Sequence, residues 1–327
     1  MARLDTFRSR HFNLEQLADG VYAAINSKDG WAICNAGIIS LGDRTIVYDA
    51  FISPQAASDL RTAAEHLTNR PVHAVVDSHY HNDHIWGNQA FSTETDILST
   101  AKTRELILTE GPKEIQGCKE VIQQRLENTE TQIMHAEGQY ELNDLKLHLA
   151  YYQAINASLP ILEIRLPNIT FSGDLTFEGS KRSARILTYD NVHCGNDAIL
   201  HLPDDGIVFM EDILFSGFHP YLEEGNPENI LQALAETKKL GAKWYIPGHG
   251  PVGDASQLDW MEGYINCLNS LAGEVIKKGG DQAELEKITI PAEYKSLLFP
   301  QFFLINLKFL YQRQIKGGSR LAGEESS

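Results

Sequence analysis

The sequence predicts an α/β protein, and three observations carry that prediction. Short runs rich in β-branched and aromatic residues recur in both halves of the chain. A polar helical stretch separates the halves, and the densest cluster of ionisable side chains directly follows an apolar strand-like run. The 327 residues are enough for one large domain or two small ones, and 43% hydrophobic content is ordinary for a globular chain with a sizeable core.

The N-terminal third reads as hairpins: "GVYAAIN", then "NAGIISL", a turn at Gly42 and Asp43, and "RTIVYDAF". A helix follows. Ser53 suits its N-cap and Pro54 its first position, Leu60, Ala64 and Leu67 share a face, and Asn69-Arg70-Pro71 stops it. "VHAVVDS" is a short buried strand. Residues 100–134 read as a polar helical insertion whose Ile115, Cys118, Val121, Ile122 and Leu126 fall at helical spacing. It is either a surface helix packed by that stripe or a helical cap. Strand signals resume at "LKLHLAYY" and run through "LPILEIRLPNITFSG" and "SARILTYDN" to "DAILHLPDDGIVFMED". Asn226-Pro227 opens a helix that Gly241 ends, and "KWYIPGHGPVG" is a further strand running into a loop. Asp254 and Gln257 suggest a capping box for a helix from Ser256 to Lys278, with Trp260, Tyr264, Leu268, Leu271 and Val275 on one face. The division expected is a core over 1–255, a helical C-terminal extension over 256–318, and a disordered tail over 319–327.

Composition narrows the classes of function. A formal charge of -16 repels phosphate backbones and anionic lipids, which argues against general nucleic-acid or membrane binding. The N-terminal "MARLDTFRSRHFNLEQL" lacks the apolar run of a secretory signal, so a cytoplasmic location is the expectation. "SLLFPQFFLINL" is broken by Pro300 and is too short to span a bilayer. Cys34, Cys118, Cys194 and Cys267 form no C-x-x-C pair, so neither a zinc knuckle nor a disulfide framework is indicated. The partner implied is a small-molecule substrate, with a homo-oligomer left open.

The chemistry concentrates in "SHYHNDHIWGN", Ser78 to Asn88. Residues two apart in an extended segment project to one side, so His79 and His81 can converge on one point; Asp83 and His84 can face a second point nearby. Imidazole with carboxylate suits borderline metals such as zinc rather than calcium or magnesium. Four ligands cannot complete two metal sites, so more are required at later strand ends. His193 in "DNVHCGNDAIL", Asp212 in "VFMEDILF" and His249 in "YIPGHGP" meet that requirement.

This order, H-x-H-x-D-H, a strand-end His, an Asp before an apolar pair, then P-G-H-G, resembles the metallo-β-lactamase superfamily from about residue 20 to 255. The resemblance implies a four-layer αββα sandwich with a dinuclear site at one edge. It implies that His79, His81 and His193 hold one metal, that Asp83, His84 and His249 hold the other, and that Asp212 bridges them. Two divalent ions are implied, zinc foremost, with manganese or iron as alternatives. "SGDLTF" matches the family's bridging motif more literally than "MEDILF", but its Asp174 precedes His193, so Asp174 is assigned to a turn. Glu211 departs from the usual glycine. Cys194 should face the core, and His219 is a candidate for contact with substrate. Asp77 and Asp197 either orient ligand imidazoles or make structural hydrogen bonds. His11, His66, His73, His135, His148 and His201 read as ordinary surface or core residues.

The activity implied is a metal-dependent hydrolase using a metal-bridging hydroxide oriented by Asp83, which carries its proton to the leaving group. True β-lactamases usually carry Cys or Ser where this chain has Asp212, and glyoxalase-II-type thioesterases typically have G-H-E where it has "PGHGP". The pattern is more similar to lactonase-like branches, which implies a small acyl substrate such as a lactone, thioester or related ester. Phosphoric or sulfuric ester hydrolysis, a mononuclear iron sulfur dioxygenase and a non-catalytic metal-binding scaffold are the alternatives.

Overall fold

The computed structural model describes residues 7–324, with side chains through 316. Two sheets face each other. The first has seven strands in sequential order: β1 (Phe12–Ala18), β2 (Val21–Asn26), β3 (Ala36–Ser40), β4 (Thr45–Tyr48), β5 (Val72–Val76), β6 (Asp96–Thr100) and β7 (Ile169–Phe171). It is antiparallel from β1 to β4 and parallel from β4 to β7. The second holds β8 (Leu175–Glu178), β9 (Ser183–Asp190), β10 (Asn196–Leu202), β11 (Ile207–Phe215) and β12 (Trp244–His249), with only β11 and β12 parallel.

Three apolar clusters define four layers. The inner faces of both sheets meet through residues such as Val21, Ile39, Ile46 and Val76 on one side and Ile186, Leu200, Phe209 and Ile246 on the other. The outer face of the first sheet packs on α1 (Pro54–Thr68) through Leu60, Ala63 and Ala64. The outer face of the second packs on α5 (Pro227–Lys238), α6 (Ser256–Lys277) and α8 (Gln301–Glu324) through Ile230, Tyr264, Leu268 and Leu307. The strands β2 to β5 are buried on both faces, with successive side chains such as Ile38 and Ile39 or Ile46 and Val47 divided between the outer and inner clusters, and the period of 3.6 along α1 and α6 turns one helix face to the sheets. Ser53 Oγ accepts from the Ala56 amide, and Asn69 at φ 53° ends α1, as its sequence signals predict.

The helical insertion is longer than expected. It comprises α3 (Ala101–His135) and α4 (Gln139–Ser158), so "LKLHLAYY" is helix rather than strand. Leu145, Leu147 and Leu149 alternate as in a strand, but Ala150, Ala154, Ile155 and Ser158 continue at helical spacing and are buried. Packing of Ala154 and Ile155 with Ile107 and Ile122 of α3 decides the outcome. Of "LPILEIRLPNITFSG" only Ile169–Phe171 is strand. The edge strand β1 was not among the strands expected, although Phe12 and Leu14 alternate with exposed Asn13 and Glu15 as a half-buried strand does. At α6, Asp254 accepts from the Ser256 amide at 2.9 Å, but Gln257 donates to Ser216 Oγ instead of closing a capping box. The α8 backbone is helical to Glu324, where disorder was expected from 319; residues 325–327 lie outside the described residues. Among the described residues no helix is long and apolar enough to cross a membrane.

Candidate metal centre

The loop after β5 opens directly into α2 (Asn82–Ile85), with His81 at its N-cap in extended conformation. That switch from extended chain to helix is what turns His79 and His81 to one point, and Asp83 and His84 to another. From the facing sheet, β11 supplies Asp212, the loop before β10 supplies His193, and the end of β12 supplies His249. Ligand atoms of His79, His81, His193 and Asp212 gather within 4.8 Å of one another, and so do those of Asp83, His84 and His249. Either group can hold a metal ion. Asp212 faces both: its Oδ2 lies 3.5 Å from His193 Nε2, while its Oδ1 lies 3.5 Å from His84 Nε2 and 3.3 Å from His249 Nε2.

Four of the five imidazoles are held from behind, His193 Nδ1 being buried without a partner among the described residues. His79 Nδ1 sits 2.9 Å from Ser78 Oγ and 3.1 Å from Glu211 Oε2. His84 Nδ1 meets Asp49 Oδ2 at 2.8 Å, and Asp49 also accepts from the Ser78 amide, so one carboxylate steadies both halves of the loop. His249 Nδ1 meets the Ile33 carbonyl at 3.2 Å. His81 turns Nε2 to Glu224 Oε2 at 3.1 Å and its Nδ1 to His193 Nε2 at 3.2 Å. The buried His79 Nε2, His84 Nε2 and Asp212 Oδ1 have no hydrogen-bond partner among the described residues, which is costly unless a cation satisfies them.

The electrostatics fit the same occupant. Burial pushes His193 down to about 3 and His79 well below the usual imidazole range, which keeps both in the neutral, ligating form. Burial also opposes charge on His249, but Asp212 and Asp83 overcome it and lift that imidazole to about 10. A proton there takes the place a metal cation would fill. Burial likewise opposes the charge of Asp212, yet His249 and His84 hold it well below the usual carboxylate range.

Other residues take different places from those anticipated, or clearer ones. Asp197 accepts from the backbone amides of Val192, His193 and Cys194, and Asp77 accepts from the Asn88 side chain at Nδ2, so neither orients an imidazole. Asp174 is exposed in the turn between β7 and β8 and accepts from the Thr188 amide. Cys194 is buried. His219 borders the cleft but is fully buried, with Nδ1 2.8 Å from Tyr264 Oη, so it is packed into the wall. Asp49 and Glu224 were not anticipated. The signal for Asp49 was available, a carboxylate closing the strand "TIVYD", whereas Glu224 lies in a loop with no pattern of its own.

Glu211 sits at φ 44°, where the β11–β12 register shifts, in the left-handed region that glycine adopts most easily. The departure from glycine therefore carries backbone strain, and its carboxylate is spent on His79. Gly248 shows a closer constraint: a Cβ there would meet Asp212 Oδ1 at 1.9 Å.

The two groups open onto a cleft of about 460 Å³, with His81, Asp83, Asp212 and His249 at its floor and Tyr151, Tyr152, Phe218, Phe299 and Phe302 among its walls. The family model described as "Metallo-beta-lactamase superfamily" matches residues 29–249. The chain belongs to that superfamily. Among solved structures, the fold is similar to a metallo-beta-lactamase from Pontibacter korlensis, with a TM-score of 0.55 and 16% identity over 78% of this chain and 99% of that one. It is similar to the same degree to the metallo-beta-lactamase FIM-1 from Pseudomonas aeruginosa in its mono-zinc form, with a TM-score of 0.55 and 14% identity over 78% of this chain and 95% of that one. A curated relative, the 2,4-dinitroanisole O-demethylase subunit beta of Nocardioides sp. (strain JS1661), is 30% identical over 129 residues. That match spans 37% of this chain and 40% of the relative's length. Superfamily membership and the His/Asp cluster make this chain a plausible metal-dependent hydrolase or related enzyme.

Proposed function

We propose that the protein is a dinuclear metal-dependent hydrolase acting on a small, largely apolar acyl substrate: a lactone, a thioester or a related ester. The observation that carries the reading is Asp212, whose two carboxylate oxygens face the two imidazole groups separately. His79, His81 and His193 would hold one ion, Asp83, His84 and His249 the other, and Asp212 would join them. Zinc is the ion proposed, since five imidazoles and two carboxylates are its donor set, and the mono-zinc form named for FIM-1 agrees with that choice.

Bound divalent ions supply Lewis acidity and a nucleophile drawn from water at neutral pH. The chain's own side chains do the rest. Asp83 is half-buried at the cleft floor, 3.3 Å from His249 Nε2, where its free oxygen can receive a proton and return it to the leaving group. The aromatic wall excludes water and receives the apolar body of the substrate. The local match to a 2,4-dinitroanisole O-demethylase subunit supports a second reading, cleavage of an aryl methyl ether at the same cluster.

Elemental analysis with a panel of lactones, thioesters, aryl esters, phosphodiesters and aryl methyl ethers tests the proposal. Two zinc ions per chain, acyl-ester turnover, and a drop of about 100-fold or more in Asp83→Asn are expected. Full turnover in that variant, or metal loading without any hydrolysis, would overturn it.

A further inference from the structure

The cleft is chemically lopsided along α3. Glu114 and Arg125 both border it, eleven residues apart on one face of that helix, a separation of about 16 Å along the axis. Glu114 lies at the metal end, where its carboxyl feels the charges of His81 and Asp83. Arg125 lies toward the other end, and among the described residues bordering the cleft it is the one Lys or Arg. Its Nη1 donates to Tyr152 Oη at 3.0 Å, and its guanidinium lies over the Tyr152 ring, 5.5 Å from the centroid. No carboxylate among the described residues pairs with it, although the chain carries 44 Asp and Glu. The tyrosine fixes the direction of the guanidinium while leaving its other donors free. Between the two ends the wall is aromatic: Tyr151, Phe299 and Phe302.

We propose that Arg125 is a specificity-determining residue that binds an anionic group, a carboxylate in the first instance, at the far end of an apolar substrate whose scissile carbonyl lies at the metal centre. The inference rests on the hydrolase reading and adds the substrate's polarity to it. Two features favour this orientation over its reverse. A carboxylate at the near end would take the place of the scissile carbonyl at the metal centre, whereas at the far end Arg125 is the one cationic side chain among the described residues bordering the cleft. A planar guanidinium held on an aromatic ring offers a carboxylate two parallel donors.

Calorimetry on the metal-loaded protein tests this without turnover. The probes are the monoanilide of suberic acid and its neutral counterpart, in which the free carboxyl is a primary carboxamide. The wild type should bind the carboxylate about tenfold more tightly, Arg125→Gln should bind both equally, and Arg125→Lys should keep part of the preference. Equal affinities in the wild type, no affinity for either probe, or a preference that survives Arg125→Gln would overturn the assignment; in the last case the carboxylate sits on the metals. Because the probes resist hydrolysis, a failure of the hydrolase reading appears in the ester panel and leaves this measurement intact.

Discussion

Four of the five candidate ligand imidazoles, those of His79, His81, His84 and His249, are held through their outer nitrogen, and Glu224 is the most exposed of those supports. Its hydrogen bond from His81 outweighs the opposing effect of burial and holds the carboxyl down at about 2, so it stays a charged acceptor at every working pH. Glu224→Gln keeps the shape but loses the charge behind His81. The affinity of the His79, His81 and His193 group for zinc should then fall about 10- to 100-fold, with the second group unaffected. Chelator competition that finds both affinities unchanged would remove Glu224 from the centre. His219 makes a pH prediction of a different kind. Burial pushes it down to about 4, against an ordinary value of 6.5, so the unfolded chain binds its proton first as pH falls. Its contribution to stability is complete above pH 6.5 and is lost as pH falls towards 4, by up to about 3 kcal/mol. His219→Asn keeps an acceptor for Tyr264 without the titration. Urea unfolding should show a shallower loss of stability over that window in the variant, and an identical slope in both proteins would exclude His219 as its source.

At the scale of elements, the strands that carry ligands are bound by close approach as much as by hydrogen bonding. Asn35, from the loop before β3, clasps the end of β12 by donating from Nδ2 to the Pro247 and Gly250 carbonyls, both at 2.8 Å. Gly248 lies inside that clasp against Asp212. Gly248→Ala should displace the Asp212 side chain and, on the proposed dinuclear reading, lower the metal content from two ions towards one, with a stability cost of about 1–3 kcal/mol. A fully loaded, fully stable variant would show that β12 can shift to make room. The same elements explain what the sequence revealed. β5, α1 and α5 announce themselves because their period, caps and burial agree. α4 does not, because "LKLHL" alternates like a strand and only its contact with α3 settles the choice. Asp212 was picked out by the order of ligands in the resembling family and by the apolar strand before it, whereas Glu224 was not, since a loop carboxylate becomes a support for His81 only after the fold has formed.

Across the whole molecule the candidate centre joins the two sheets. His79, His81, Asp83 and His84 follow a strand of the first, while His193, Asp212 and His249 sit on or beside strands of the second. The motif was readable because ligation demands specific side chains at strand ends, and the sandwich brings those ends to one edge. The walls of the cleft come from α3, α4, α8 and the loop after β11, elements with no common sequence pattern, so the substrate's shape was not readable. One consequence concerns stability. Without a cation, the inward nitrogens and carboxylate oxygens are buried with poor partners, and the sheet edges meet there through a few hydrogen bonds, those of Asn35, the Ile33 carbonyl, Glu211 with His79 and Glu224 with His81. A site filled at about a thousand times its dissociation constant adds about 4 kcal/mol to the folded state. For a chain of this size that raises the melting temperature by roughly 5–10 °C. Calorimetric scans of metal-free and zinc-loaded protein should differ by that amount, and the metal-free protein should show greater amide exchange at β11, β12 and the loop after β5. Superimposable scans and exchange patterns would mean that the sandwich is closed by its apolar core alone and that the His/Asp cluster does not tie the sheets together.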